Sequence, residues 1–76
     1  MKKAYVLINC DLGKEEDILD TIRSIKSVKE AHGIFGSYDI IAEVSAENAQ
    51  ELREDITWKI RKLPYIRATL TLIALE

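Results

Sequence analysis

The segment with the clearest chemical potential is a short turn formed by Gly36, Ser37, Tyr38 and Asp39. Glycine permits a positive φ, and an aspartate just past a turn hydrogen-bonds local backbone, so these residues are typical of a hairpin turn. The same arrangement presents backbone N–H groups beside a carboxylate, a setting that suits both the carboxylate and the ammonium group of an amino acid. From the residues alone, the turn-only interpretation ranks ahead of the ligand-site interpretation.

Residues that could carry catalysis are few. His32 is the only histidine and Cys10 the only cysteine, whereas covalent catalysis needs a nucleophile, a base and an orienting group together. We interpret His32 as a strand residue or an interface hydrogen-bonder, and Cys10 as a small apolar residue at a strand end. With no Cys/His cluster to hold zinc, the sequence predicts no catalytic residue, no metal and no cofactor.

Trp58 is the remaining side chain of note. At 100° per residue it lies about 200° around its helix from Ile56, away from the apolar positions that would face a sheet. One interpretation is that the ring lies over its own helix surface. The other is that it anchors another subunit, because tryptophan is enriched at interface hot spots.

The first half of the chain predicts a strand, a helix and a hairpin. Residues 4–8 are continuously apolar, which indicates a central strand with apolar side chains on both faces. Residues 14–25 open with three acidic residues and continue with apolar positions at helical spacing, which predicts a helix. Residues 28–35 and 38–44 read as two strands joined by a short glycine-containing break.

The second half predicts a helix and a final strand. Ser45 is the expected N-cap, and Pro64 ends the helix after a basic last turn. Residues 67–75 then alternate as a strand. The apolar positions of the helix step by three and four: Ala49, Leu52, Ile56, Ile60 and Leu63.

This order of elements predicts an α+β, ferredoxin-like βαββαβ fold with a four-stranded antiparallel sheet and two helices on one face. The opposite face is then uncovered, although the first and last strands carry apolar residues on both faces. Exposed apolar area costs about 25 cal/mol per Å². We therefore expect a homodimer that forms through the sheet as a dimeric α+β barrel, with an isologous two-fold contact.

Composition sets the outer limits. The chain has 76 residues, 47% hydrophobic and 32% charged, with a net charge of -2, which predicts one folded domain without the basic footprint of a nucleic-acid binder. The apolar run at residues 4–8 is far shorter than the roughly 20 residues needed to span a bilayer. Together with the lone cysteine, this favours a cytoplasmic protein.

Two stretches carry a resemblance to a known family. Residues 36–40 (GSYDI) resemble the Gly-x-aromatic-Asp segment of the effector-binding (RAM) domain of the Lrp/AsnC family of transcriptional regulators. Residues 63–71 (LPYIRATLT) resemble the family's Leu-Pro-Gly-Val-x-x-Thr-x-Thr stretch at the expected spacing. The likeness includes the order of elements and extends over nearly all of the chain.

The resemblance implies a domain that dimerises through its sheet, assembles further, often into octamers, and binds amino acids between dimers near the turn. Over residues 1–76 it implies one ligand-binding and oligomerisation domain without a helix-turn-helix DNA-binding domain. Two departures stand out: Ser37 replaces a commonly acidic residue, and Tyr65 replaces the usual glycine. The implied ligand site is Gly36, Ser37, Tyr38, Asp39, Thr69 and Thr71.

Three functions follow from these observations. The leading hypothesis is a non-enzymatic, amino-acid-binding oligomeric module that regulates transcription through a full-length family partner, with no direct nucleic-acid or membrane contact. The alternatives are a small cofactor-free monooxygenase or isomerase using His32 and Tyr38, and an oligomerisation module without a ligand. Loss of function in His32→Ala would favour the enzyme, and an inert Asp39→Ala variant would favour the ligand-free module.

Overall fold

The structure is a computed structural model that describes residues 1–75. Its strands form one antiparallel sheet in the order β2-β3-β1-β4, which confirms the ferredoxin-like topology and the central position of the first strand. The elements are β1 (Lys2–Cys10), α1 (Glu15–Arg23), β2 (Val28–Gly33), β3 (Ile40–Ala46), α2 (Ala49–Asp55), a π-helical segment (Ile56–Ile60) and β4 (Ile66–Ile73).

The core lies between the helices and one face of the sheet. Alternate residues of β1 are buried there, and those between them are half-buried on the opposite face, as a period of two requires. Tyr5 and Leu7 belong to that second, open face. The core-facing residues of β1 are Ala4, Val6, Ile8 and Cys10.

Each helix contributes a short apolar stripe to this core. Ile18 and Ile22 of α1 are buried, and the end of α1 is fixed because the Arg23 side chain donates to the Ala31 carbonyl oxygen from both Nε, at 3.0 Å, and Nη2, at 2.8 Å. The second helical region buries Leu52, Ile56 and Ile60. The space between sheet and helices is therefore filled with aliphatic side chains.

The predicted N-cap of the second helix is wrong. Ser45 lies within β3, where it is paired with Lys3 of β1 and its N–H donates to the Ser27 carbonyl oxygen at 2.9 Å. The cap is Asn48, whose Oδ1 accepts the Glu51 N–H at 2.8 Å. Sheet pairing carries the strand past Ser45, and the helix begins only after it ends.

The second helix is also less regular than its apolar spacing predicts. The α-helical hydrogen bonding of α2 gives way at Ile56 to a π segment, in which the Arg61 N–H donates to the Ile56 carbonyl oxygen at 2.9 Å. The apolar stripe survives the change, because Ile56 and Ile60 remain buried. Pro64 follows the end of this region, as predicted.

The other boundaries shift by a few residues. Helix α1 starts at Glu15 and ends at Arg23, inside the predicted 14–25. The connection between β2 and β3 spans residues 34–39, so it is wider than the predicted two-residue break. Strand β4 ends at Ile73. Within residues 1–75, none of the helices combines the length and the apolar character that a membrane span requires.

Candidate functional site

The loop of residues 34–39 is closed by a backbone hydrogen bond between its two ends. The Ile34 N–H donates to the Asp39 carbonyl oxygen at 2.9 Å. Inside the loop Gly36 has φ +131°, a conformation that side-chain-bearing residues rarely adopt. This glycine thus allows the chain to turn, which confirms the structural part of the sequence interpretation.

Asp39 is clamped to the central strand by two hydrogen bonds. Its N–H donates to the Ile8 carbonyl oxygen at 2.9 Å, and its Oδ2 accepts the Cys10 N–H at 3.1 Å. Among the described residues, the other carboxylate oxygen has no hydrogen-bond partner. Asp39 therefore holds a fixed position and still offers one acceptor to a ligand.

Two open clefts meet at Asp39. One, of about 430 Å³, lies over the end of β1 and includes Arg67 and Ala68 of β4. The other, of about 380 Å³, lies towards α1 and includes Glu15 and Phe35. Both volumes fall in the range typical of small-molecule pockets, roughly 300 to 1,000 Å³.

Arg67 reaches the first cleft because β4 is irregular at this residue. Asn9 pairs with Ala68 but Cys10 pairs with Ile66, so Arg67 is an extra residue between two ladder positions. A bulge of this kind redirects a side chain and is frequent next to functional sites. The Arg67 Nε lies 4.0 Å from Asp11 Oδ1, and its side chain is 70% exposed.

The first cleft thus combines a carboxylate and a guanidinium. Asp39 and Arg67 carry the two charges that complement the ammonium and the carboxylate of an amino acid, and charge-assisted hydrogen bonds are the stronger kind. Sequence reasoning missed Arg67, because it placed this residue in a regular strand. Only the pairing with β1 reveals the bulge.

Cys10 lies on the same cleft as an inert thiol. Burial raises its pKa above the ordinary value of 9.0, and the nearby carboxylates of Asp39, Glu15 and Asp11 raise it further. The thiol is therefore protonated at neutral pH and is a poor nucleophile. This agrees with its interpretation as a small apolar residue.

Comparison with known proteins decides the family. Residues 3–76 match the Lrp/AsnC ligand binding domain. The chain belongs to this family. An uncharacterised helix-turn-helix-type transcriptional regulator, PF0250 from Pyrococcus furiosus, is 30% identical over 74 residues, which are 93% of this chain and 49% of that protein. The chain spans about half the length of the curated relatives it matches.

Solved structures of similar proteins agree with the family assignment. Protein PHS023 from Pyrococcus horikoshii has a TM-score of 0.94 and 37% identity, with coverage of 100% of this chain and 92% of that chain. AsnC from E. coli has a TM-score of 0.91 and 25% identity, with coverage of 99% and 51%. The ferredoxin-like Lrp/AsnC fold is thus established.

The Lrp/AsnC resemblance also named Thr69 and Thr71 for the ligand site. In β4 these residues pair with Ile8 and Val6, so they lie on the helix side of the sheet. Thr71 lines a groove beside α2, whereas Asp39 lines the clefts at the end of β1. One chain therefore does not bring Asp39 and Thr71 to a common cleft.

The remaining turn residues lie close to Asp39 in the chain but differ in burial. Ser37 is exposed, as are Gly36 and Phe35, while Tyr38 and Asp39 are half-buried. A small ligand in one chain would therefore meet little cover from Ser37. Their participation in ligand binding stays a prediction.

The two residues of the enzyme hypothesis are not brought to a common cavity. His32 lies on the open face of the sheet in a depression of about 100 Å³, and its Nε2 is 3.2 Å from Glu30 Oε1. Tyr38 belongs to the loop that follows β2. The aliphatic core also fills the space between sheet and helices, where such an enzyme would hold its substrate.

Trp58 lies in the π segment with 66% of its surface exposed. The Lys62 ammonium group is 5.2 Å from the centre of the ring, so the side chain covers part of its own helix surface and remains accessible. Its role as an anchor for another subunit stays a prediction.

Proposed function

We propose that this domain is a non-enzymatic, oligomeric regulatory module that binds an amino acid in the cleft between Asp39 and Arg67. The observation that carries the proposal is the pairing of one unbonded carboxylate oxygen with a bulge-directed guanidinium on the same cleft. Membership of a ligand-binding family supports it, as do relatives that are transcriptional regulators.

The charges of the cleft favour a zwitterion over a simple anion or cation. A ligand ammonium group would bond the free oxygen of Asp39, and a ligand carboxylate would form a bidentate pair with Arg67. Apolar surface from Ile34 and Phe35 on the far side of Asp39 would receive an aliphatic or aromatic ligand side chain.

The module would work as an assembly, because the cleft is open in one chain. The neighbouring strands β1 and β4 leave Tyr5, Leu7, Leu70 and Leu72 on the face of the sheet that no helix covers. A second copy on this face would form the predicted dimer. Phe35, fully exposed beside the cleft, would be covered by a further dimer, so that the ligand site would lie between chains.

Regulation would follow from the link between ligand and assembly. A ligand shifts an equilibrium only when it binds one state more tightly than the other. The effector would thus favour one oligomeric state, and a full-length family regulator that co-assembles with this domain in the cytoplasm would transmit that state to DNA.

The test is calorimetric titration with each of the twenty amino acids, combined with sizing by light scattering. We expect one amino acid or one side-chain class to bind and to change the assembly. Asp39→Asn and Arg67→Gln should each weaken binding by at least about tenfold, because each removes at least one charge-assisted hydrogen bond. Asp20→Asn removes an exposed carboxylate of α1 and serves as the matched control.

The outcomes separate the competing functions. If no amino acid binds and the assembly is complete in ligand-free buffer, the ligand-free oligomerisation module is the correct interpretation. If binding occurs but is equally weakened by Asp39→Asn and Asp20→Asn, the ligand responds to overall charge, and the assignment of the cleft is wrong.

A further inference from the structure

A groove beside β4, on the helix side of the sheet, contains binding groups that the proposed amino-acid cleft does not use. It lies between the second helical region and β4, which is an edge strand of the sheet, and has a volume of about 250 Å³. It shares no residue with the clefts at Asp39. Its lining residues are Arg53, Ile56, Thr57, Arg61, Thr71 and Ile73.

The two arginines of this groove differ from the other two in the chain in the polar partners of their side chains. Arg23 is bonded to the Ala31 carbonyl oxygen, and Arg67 lies near Asp11. By contrast, neither Arg53 nor Arg61 forms an ion pair or side-chain hydrogen bond with the part of the chain that the structure describes. Two guanidinium groups are thus available for a ligand.

The π segment explains why both arginines reach one groove. In a continuous α-helix a step of four residues advances about 40° around the axis, so Arg61 would lie about 80° from Arg53. A π turn contains more residues and rotates less per residue, which returns Arg61 towards the side that carries Arg53 and Thr57. π-Bulges are frequent at functional sites, and this one aligns two cations.

The other lining groups restrict what the groove can bind. Among residues 1–75, no acidic residue lines it, so a ligand ammonium group would find no counter-charge from them, and an anion is favoured over a zwitterion. The Thr57 and Thr71 hydroxyls supply donors, and Ile56 and Ile73 supply an apolar floor. The volume lies just below the usual range for ligand pockets, roughly 300 to 1,000 Å³, which selects a small molecule.

We propose that this groove is a second ligand site, for a small aliphatic carboxylate that lacks an ammonium group. The ligand carboxylate lies between Arg53 and Arg61 and accepts hydrogen bonds from Thr57 and Thr71. The aliphatic part contacts Ile56 and Ile73. Within one chain the groove is separate from the clefts at Asp39, because none of these residues lines them, and Thr71 is the one residue that it shares with the site implied by the family resemblance.

The probe is 4-methylpentanoate, titrated calorimetrically into the full chain. We expect Arg53→Gln and Arg61→Gln each to weaken binding by at least about tenfold, and Thr71→Val, which keeps the branched shape, by about threefold. Lys62→Gln removes a cation from the same helical region outside the groove and should leave the affinity unchanged. Asp39→Asn should also leave it unchanged, even if it abolishes amino-acid binding.

Four results would overturn the proposal. The first two are no binding of 4-methylpentanoate at millimolar concentration, and an equal loss of its affinity in Lys62→Gln and Arg61→Gln. The other two are loss of its binding in Asp39→Asn, and displacement of bound 4-methylpentanoate by inorganic phosphate as effectively as by another small carboxylate. Circular dichroism establishes that each variant is folded. In the Asp39→Asn background, L-leucine should bind more weakly than 4-methylpentanoate, because the ammonium group is unmatched; equal or tighter binding would contradict the charge argument.

Discussion

Asp39 and Arg67 show how single residues depend on backbone contacts for their function. Asp39 is fixed by the backbone of β1 on one side, and Arg67 is directed by a bulge against the same strand on the other. Nearby, Tyr65 has a strained backbone conformation, and Cys10 has a buried side chain. Each of these two features leads to a measurable prediction.

Tyr65 occupies a left-handed backbone conformation, with φ 71°. This costs a residue with a Cβ about 1–2 kcal/mol, which is the physical reason for the glycine that the family pattern has here. The Lys14 ammonium group lies 4.6 Å from the centre of the Tyr65 ring and offsets about 0.5–1 kcal/mol of that cost.

Tyr65→Ala should therefore destabilise the fold, because alanine keeps the strained φ and loses the ring. Tyr65→Gly loses the same ring but relaxes the backbone, so we expect it to be more stable than Tyr65→Ala by about 1 kcal/mol. Urea unfolding of the two variants measures the difference. An alanine variant at least as stable as the glycine variant would show that the turn is unstrained.

Cys10 makes the free energy of unfolding depend on pH in the alkaline range. Its folded-state pKa is raised above 9.0 by burial and by neighbouring carboxylates, so the folded state keeps a proton that the unfolded state loses. The free energy of unfolding should be constant with respect to this group below about pH 9 and should fall as the pH rises through the folded-state pKa.

Urea unfolding across the alkaline range tests this dependence, with Cys10→Ala as the control. That variant should be less stable at neutral pH, because it leaves space in the core, but its stability should fall less steeply above pH 9. Parallel pH profiles for the two proteins would show that the alkaline loss does not come from Cys10.

At the scale of elements, the second helical region departs most from its sequence pattern. Its start is set by Asn48 instead of Ser45, and its continuation changes from α to π hydrogen bonding at Ile56. The apolar stripe alone does not distinguish these arrangements, because Leu52, Ile56 and Ile60 are buried in either. Pairing of β3 with β1 determines where the helix can begin.

Asn48→Ala should destabilise the domain by about 1 kcal/mol, because the Glu51 N–H loses its acceptor. Asn48→Asp keeps an N-cap oxygen and should retain stability close to that of the unmodified chain. Thermal or urea unfolding compares the three proteins. Equal losses in the alanine and aspartate variants would mean that the side chain acts through packing and not as a cap.

At the scale of the whole molecule, the domain exposes more surface than its mass requires. Its accessible surface is 5136 Å², whereas a folded monomer of 8.7 kDa is expected to expose about 4,700 Å². Part of the exposed apolar surface lies on the open face of the sheet, where Leu70, Leu7 and Ile41 occupy neighbouring positions of three strands. This face suits a second copy.

Leu70→Lys should therefore convert the proposed dimer to monomers, because each copy would bring an ammonium group into an apolar contact. Sedimentation velocity measures the change, and circular dichroism verifies the fold. Leu12→Lys alters a leucine that is 93% exposed in the loop after β1 and should leave the dimer intact. A dimer that survives Leu70→Lys would place the interface elsewhere on the molecule.

The sequence by itself determined the α+β class, the order of elements, the central position of β1 and the turn that contains Asp39. These follow from periodicity and turn chemistry, which act between residues close in the chain. The tertiary structure alone decided the Ser45–Asn48 difference, the π segment that aligns Arg53 with Arg61, and the bulge that directs Arg67. Each depends on how distant strands pair or how a helix packs on them, and a shift of one residue in such a pairing leaves the local sequence pattern unchanged.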